Sequence, residues 1–431
     1  MMTSRPAGTI SEQILSRKCG RDVRAGEIAI CRVDAVVGTD GSGPMAIDYF
    51  ARMNGRALFD PSRVYFSLDH YAPPDTEATR AFHARIRAFA ALHGATVFDV
   101  GEGISHQIVV ERGLVQAGDL LVGADSHAVT CGALNAFAIG VGSSDLAAAM
   151  LTGAVWLRVP ESIRIDLTGP RPHGLAAKDI GLEIVRVLGA DGANYQAIEF
   201  AGDGATELPF DDRLVLSNLM VEAGAKAAIF EHDGVTAAYL ADRGGVRGEP
   251  VRPAPDARYS RTMTIDLAGL TPRVARPHAP DNVAPISETG DVAIQMVFIG
   301  TCTGGRVADF HDARAAFDRA GGTIAPGLQL VLTPASREVL ERLQADGTLD
   351  RFVRAGAIVT TAGCGACCGT SGVIPGEGMT VLSTANRNFK ARMGNQTASI
   401  YLASPAMCGA AAAIGRIPNL RTREPENLRT R

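Results

Sequence analysis

A single tryptophan and an aromatic content of 5% leave little material for base-stacking platforms. No basic stripe compensates, since 42 Lys and Arg stand against 46 Asp and Glu for a net charge of −4. Such a chain has no electrostatic footprint for nucleic acid or for an anionic membrane surface. No uninterrupted apolar run reaches the length of about 18 residues that a spanning helix needs. The opening residues, MMTSRPAGTISEQ, lack the apolar segment of a secretion signal. Eight cysteines among 431 residues is ordinary usage, and the grouping of Cys364, Cys367 and Cys368 does not read as a disulfide framework. These absences predict a cytoplasmic, reduced chain without membrane or nucleic-acid partners.

What is present is apolar and glycine-rich: 46% hydrophobic residues, 20% charged residues and 48 glycines. That composition suits a soluble α/β enzyme with tight turns and loop-built sites, and the length exceeds one ordinary core. Thr9 and Glu12 form a capping-box pattern for a helix that stops at Gly20. An extended stretch over Glu27 to Val36 leads into the turn 38-GTDGSGP-44 and a helix over Met45 to Met53. Strands at Val64 to Ser67, 96–100 and 119–124 alternate with helices over Thr76 to His93 and Ser143 to Gly153. The alternation predicts parallel α/β architecture. Texture shifts near Glu161, and the Pro-rich 271–288 reads as a linker, giving domains at 1–160, 161–285 and 286–431. The polar tail 418–431 is expected to fray.

The organising stretch is 298-FIGTCTGGRVADF-310, answered by 362-AGCGACCG-369. An apolar strand from about Gln295 to Gly300 ends at Cys302 and runs into a helix from about Arg306. Another, Ala357 to Thr361, precedes Cys364 and Cys367 in a C-x-x-C turn. Thiols beside helix starts are expected to have lowered pKa values. Loops at the carboxyl ends of neighbouring strands can bring three cysteines to one point. A structural zinc site wants four ligands, and an electron-transfer cluster usually has four cysteines. Three would leave one iron of a four-iron cluster open. A buried thiol beside a zinc or redox C-x-x-C is the other reading.

Polar groups gather at other strand ends. Asp69 and His70 follow an apolar strand, and a carboxylate beside an imidazole raises its pKa. Strand neighbours point apart, so this works only if the strand ends before them. His106 is by default a core or surface histidine. Asp125, Ser126 and His127 share one turn, and Glu199 lies in the apolar run 197-AIEF-200, where an unpaired carboxylate is costly to bury. In 383-STANRNFKARMGN-395, Arg387 and Arg392 flank Asn386 and Asn388. They are either solvated or forked onto a carboxylate-rich substrate.

GADSH, IGTCTGGR, GCGACCG and STANRNFKARMG occur in this order and together resemble the aconitase superfamily, nearest the large-subunit type of 3-isopropylmalate dehydratase and homoaconitase. The resemblance spans about Thr9 to Arg416 and is closest to the shorter, archaeal-style branch. It implies three α/β domains around one [4Fe-4S] cluster per chain, without the swivelling fourth domain. Cys302, Cys364 and Cys367 match its cluster ligands, leaving one iron without a protein ligand, and Cys368 matches a non-ligand. Asp69 and His70 match the pair that protonates the departing hydroxyl. His106, Asp125 and His127 match groups organising the iron-bound water, and Glu199 a carboxylate contacting that region. Asn386, Arg387 and Arg392 match cluster and substrate-carboxylate contacts, with Ser126 beside them.

The implied reaction is dehydration of a 2-substituted malate to an alkene diacid and rehydration in the other orientation. A separate small subunit is expected to complete the site in a heterodimer or heterotetramer, around a small dicarboxylate or tricarboxylate substrate. The family's asparagine after C-T is Gly304 here, the threonine after DSH is Ala128, and the glycine of NFxGR is Ala391. Pro44 replaces the glutamine of true aconitases and argues against citrate. Gly304 and Ala128 are expected to lose polar contacts near the cluster. Homoaconitase and a diverged citramalate or 2-alkylmalate dehydratase are alternatives, as is a non-catalytic, regulatory protein of the same fold.

Overall fold

The computed structural model describes residues 7–418 apart from 246 and 371. Three predominantly parallel sheets follow one another along the chain. The first has five strands in the order Thr96–Phe98, Val64–Ser67, Ala35–Thr39, Leu120–Gly123 and Phe137–Gly140, all parallel. Its central strand, AVVGT, is buried along its whole length, as helices on both faces of a parallel sheet require. The second sheet orders Ala227–Phe230, Ala197–Ala201, Ser162–Thr168 and Arg261–Asp266, again parallel. The third has seven strands, five of them parallel: Ser399–Leu402, Thr380–Ser383, Met296–Gly300, Gln329–Thr333 and Ile358–Val359.

Local signals explain most element ends. Thr9 caps the helix Ile10–Cys19 by accepting from the Glu12 amide, the Glu12 carboxylate accepts from the Thr9 amide at 3.0 Å, and Gly20 closes the helix in the left-handed region at φ 73°. The helix Glu77–His93 is bounded by Thr76 and by Gly94 at φ 77°. The stretch expected to be extended from Glu27 to Val36 divides into two strands. Ile28–Arg32 pairs antiparallel with Ala154–Arg158 in a two-stranded ribbon, and Ala35–Thr39 enters the first sheet.

The segment expected to be a linker, 271–288, is not free chain. Arg273–Ala275 and Val283–Pro285 pair antiparallel and extend the seven-stranded sheet, with Ala275 opposite Leu402. Pro285 sits in the edge strand, which tolerates a missing donor, and the other prolines lie outside the two strands, while Val274 and Ala275 are fully buried. Beyond Pro418 the polar tail lies outside the described residues. Among the described residues no helix is long and apolar enough to cross a membrane.

The carboxyl ends of the first and third sheets face each other. Ile104 donates its amide to the Ala335 carbonyl at 2.9 Å, and Cys364 donates to the Asp69 carbonyl at 3.0 Å. Gly103, at φ 128°, permits this approach: a Cβ there would lie 2.6 Å from the Ala335 oxygen. Ile104, Cys302, Ala335 and Cys364 form a small buried cluster at the junction.

Candidate active site

Each candidate side chain stands just past the end of a parallel strand or helix. Cys302 follows Met296–Gly300, Cys364 and Cys367 follow Ile358–Val359, and Asn386 follows Thr380–Ser383. All three cysteines are free thiols and buried. Cys302 Sγ accepts from Nδ2 of Asn218 at 3.1 Å and from Nδ2 of Asn386 at 3.3 Å. Cys367 lies 3.6 Å from Asn386 Oδ1 and accepts from the Arg392 guanidinium at 3.6 Å. Cys364 Sγ lies 3.8 Å from His70 Nε2. Asn386 thus joins two of the thiols, and His70 joins the third to the opposite wall.

The expectation of lowered thiol pKa values fails at Cys302 and Cys364 and is met at their neighbour Cys368, which its hydrogen bond with Cys364 brings down to about 5. Burial pushes Cys302 up to about 12, reinforced by Cys367 and opposed by Arg306. Cys364 is raised by its hydrogen bond with Cys368 and by burial. The helix after Cys302 starts only at Val307, and a dipole acts within its first turn. Desolvation therefore wins. Cys302 and Cys364 therefore resist ionising unless a cation replaces their protons.

The facing wall is ionic. The strand Val64–Ser67 ends before Asp69 and His70, so both can turn inward, with His70 Nδ1 2.7 Å from Asp69 Oδ1. The other Asp69 oxygen accepts from the Ser105 amide at 2.8 Å. His70 Nε2 meets Asp125 Oδ2 at 3.3 Å. Burial alone would lower the His70 pKa, but Asp69 and Asp125 hold it well above its usual value. Asp125 is held well below the ordinary carboxylate range, its bonds to His127 and His70 outweighing burial. The His127 amide donates to Asp125 Oδ1 at 2.7 Å, and Ser126 Oγ stands 3.4 Å from His127 Nδ1. Asp40 fixes the turn by accepting from the His70 and Tyr71 amides at 3.0 and 2.9 Å.

Glu199 does not belong to this constellation. Its carboxylate accepts from the Ile10 and Ser11 amides at 3.1 and 3.0 Å, and also from the hydroxyls of Ser11, Ser162 and Tyr259. It anchors the N-terminus of the helix Ile10–Cys19, which resolves the cost of burying it. The carboxylate beside the site is Glu222, which the sequence reading passed over. Glu222 Oε1 is 2.9 Å from His127 Nε2, and its two oxygens accept from Arg387 Nε at 2.8 and 3.0 Å. Its pKa is lowered because the bond to His127 and the charge of Arg387 overcome burial.

Asn218 was missed as well. It and Glu222 are four residues apart in the otherwise apolar run 214-LVLSNLMVEAGA-225, a spacing that puts two polar groups on one helical face. Arg306 is a further omission, only 2% exposed. Its Nε donates to Gln107 at 3.0 Å, while its two terminal nitrogens have no partner among the described residues. His106 is also buried, and both its ring nitrogens are unpaired among the described residues. Burial brings it down to about 3, so it is neutral.

These observations test whether the residues suit a metal–sulfur group. Three soft donors lie on converging loops, three N–H groups point at two of the sulfurs, and the buried Arg306, with two nitrogens unpaired among the described residues, acts on Cys302. A thiolate cluster wants that donor set and those hydrogen bonds. Among the described residues no set of three ligand atoms that includes these sulfurs lies within 4.8 Å of one another, so they are spaced too widely for a single zinc ion.

Two departures from the expected motifs have structural reasons. Gly304 leaves room for Thr384: a Cβ there would lie 2.2 Å from the Thr384 Cβ. Thr384 Oγ1 in turn accepts from the Gly300 amide and donates to its carbonyl, both at 2.9 Å. Ala391 takes φ 66°, a left-handed conformation strained for alanine.

Known proteins are similar to this chain over nearly its whole length. The profile of the aconitase family (aconitate hydratase) matches residues 12–415. The chain is 42% identical to a 3-isopropylmalate dehydratase large subunit 1 of Methanopyrus kandleri, over 96% of this chain and 99% of that one. It is 43% identical to a protein of the same name from Thermotoga maritima, with the same coverage. It is 41% identical to a homoaconitase large subunit of Thermus thermophilus, over 97% and 99% of the two chains.

Proposed function

The chain belongs to the aconitase family, and on that premise we propose that it is the large, cluster-bearing subunit of a hydro-lyase of the 3-isopropylmalate dehydratase type. Its domains are taken as three α/β units around the three sheets. The observation that carries the reading is the pairing of Cys302, Cys364 and Cys367 with the ionic wall of Asp69, His70, Asp125 and His127, 3.8 Å apart at Cys364 and His70. A [4Fe-4S] cluster held by the three cysteines, with one iron lacking a protein ligand, would supply Lewis acidity toward a substrate hydroxyl and carboxylate.

The chain's own residues do the rest. His70, kept charged by Asp69 and Asp125, is the proton donor to the leaving hydroxyl. Asp125 fixes the position of that proton at Nε2. Glu222 holds His127 and Arg387 in one chain of hydrogen bonds, and Arg392 stands beside Cys367. The two guanidinium groups are the anchors for substrate carboxylates. His106 stays neutral and accepts or donates within the water network without carrying charge.

A small subunit, in a heterodimer or heterotetramer, closes the site and contributes the carbon-side base, a reading supported by relatives named as large subunits. The substrate is a 2-substituted malate of the isopropylmalate type. A homoaconitase reading stands beside it because a relative of that name is 41% identical. The setting is the cytoplasm.

The test is anaerobic iron and sulfide analysis with EPR on the reconstituted chain, then absorbance assays of alkene formation, a diacid from 3-isopropylmalate and a triacid from homoisocitrate, with the small subunit added. About three or four irons per chain supports the reading; a folded chain that takes up none sinks it. With the cluster present, His70→Ala is expected to retain iron and lose turnover by about 10²–10⁴.

A further inference from the structure

Behind the thiol loops sits a buried cation that the proposed chemistry does not use. Lys178 is 1% exposed. It lies in the first turn of the helix Ala177–Leu188, the end where the helix dipole disfavours a positive charge. Its Nζ donates to Thr303 Oγ1 at 3.2 Å, to the Thr384 carbonyl at 3.1 Å and to the Ala385 carbonyl at 2.5 Å. All three acceptors are neutral, and Lys178 makes no ion pair among the described residues. Asp179 beside it is turned away, accepting from the Ala176 and Arg273 amides at 2.9 Å each. Burying an ammonium without a countercharge is costly.

Burial lowers the Lys178 pKa to about 8, opposed by Cys302, Cys367, Cys408 and Glu222, and Glu222 is already compensated by His127 and Arg387. That leaves the sulfurs. The three acceptors also belong to the two loops that carry Cys302 and Asn386, so one ammonium ties both loops to the second sheet's helix.

We propose that Lys178 is a positioning residue for the iron–sulfur site, its buried ammonium serving as the fixed countercharge of the cluster thiolates while it clamps the Cys302 loop to the Asn386 loop. This rests on the cluster reading above. Removing the charge makes reduction of the cluster harder and its retention weaker; keeping the charge preserves both.

The experiment compares Lys178→Met, Lys178→Gln and Lys178→Arg in the full chain, reconstituted anaerobically and checked for folding by circular dichroism. The readouts are the cluster's one-electron potential from an EPR-monitored redox titration and the rate of iron loss to a chelator. In both neutral variants the ratio of reduced to oxidised cluster at a fixed potential is expected to fall about tenfold, equivalent to about 59 mV for one electron. Iron loss is expected to accelerate, and Lys178→Arg to stay near wild type in both. Folded neutral variants that lose the cluster while Lys178→Arg keeps it also support the role. Neutral variants with an intact cluster at the wild-type potential overturn it, as does an arginine variant as impaired as the neutral ones. A wild-type chain without a cluster instead removes the reading beneath it.

Discussion

Two walls meet at the candidate site, and they solve burial in opposite ways. On the wall from the first and second sheets, the ionisable groups are paired: Asp69 with His70, His70 with Asp125, and Glu222 with both His127 and Arg387, the last reaching across from the third sheet. On the wall from the third sheet, the acidic groups are thiols, and burial pushes Cys302 up to about 12. Their neighbours are amides, a guanidinium and one lysine that has no carboxylate. The first wall is electrostatically complete as folded. The second is complete only with a cation, and that difference is why sulfur and imidazole on facing strand ends point to metal-assisted chemistry.

The comparison breaks most sharply at the sulfurs. Cys302→Ser is expected to drop iron to below about one per chain and to abolish turnover, because a serine oxygen is a poor ligand for the cluster. Cys368→Ser should leave iron content near wild type; iron analysis of the pair separates ligand from neighbour, and an unchanged Cys302 variant would refute the ligand set.

Next comes the exchange of the two buried glutamates. Glu222→Gln should lower kcat/KM by about 10–100-fold with iron retained, since the His127 and Arg387 positions loosen. Glu199→Gln should leave kcat/KM near wild type and cost about 1–3 kcal/mol in denaturant unfolding, because one amide nitrogen then faces donors. Reversed outcomes would return Glu199 to the site.

The ionic wall also carries a pH signature. His106 is neutral when folded, with a pKa of about 3 against 6.5 when unfolded. The unfolded chain therefore binds the extra proton first, and stability is full above the unfolded value and declines as pH falls from there toward 3. His106→Gln should flatten that acid limb of a stability–pH curve, shifting the acid midpoint downward by about half a unit. An unchanged limb would mean the ring is not buried neutral.

The smallest effect is expected in the loop 383–395. Ala391→Gly removes the left-handed strain at φ 66° and should stabilise the chain by about 1 kcal/mol. A calorimetric scan that shows destabilisation would locate the loop's conformation elsewhere.

Much of this was legible in the chain itself. The capping box at Thr9 and Glu12, the buried strand at Val64 to Ser67 and the cysteine motifs at strand ends are short-range signals, and the structure places them as read. Glu199 and Glu222 show the limit. Both sit in apolar runs, both are buried, and nothing local distinguishes the one that receives five protein donors from the one that bridges His127 and Arg387. Likewise 271–288 reads as linker because proline suits both a linker and a sheet edge.

Gly304 makes the same point at one atom. From the chain it is a lost polar contact; in the fold its missing Cβ is the space that Thr384 fills. Sequence by itself determined the element types, the donor atoms and the family, because periodicity, caps and motif spacing are written within a few residues. Only the tertiary structure decided which carboxylate reaches the site, that burial raises Cys302 and Cys364, and that Lys178 is buried against the loops of Cys302 and Asn386. Those depend on desolvation and on contacts between loops more than a hundred residues apart, which no local pattern encodes.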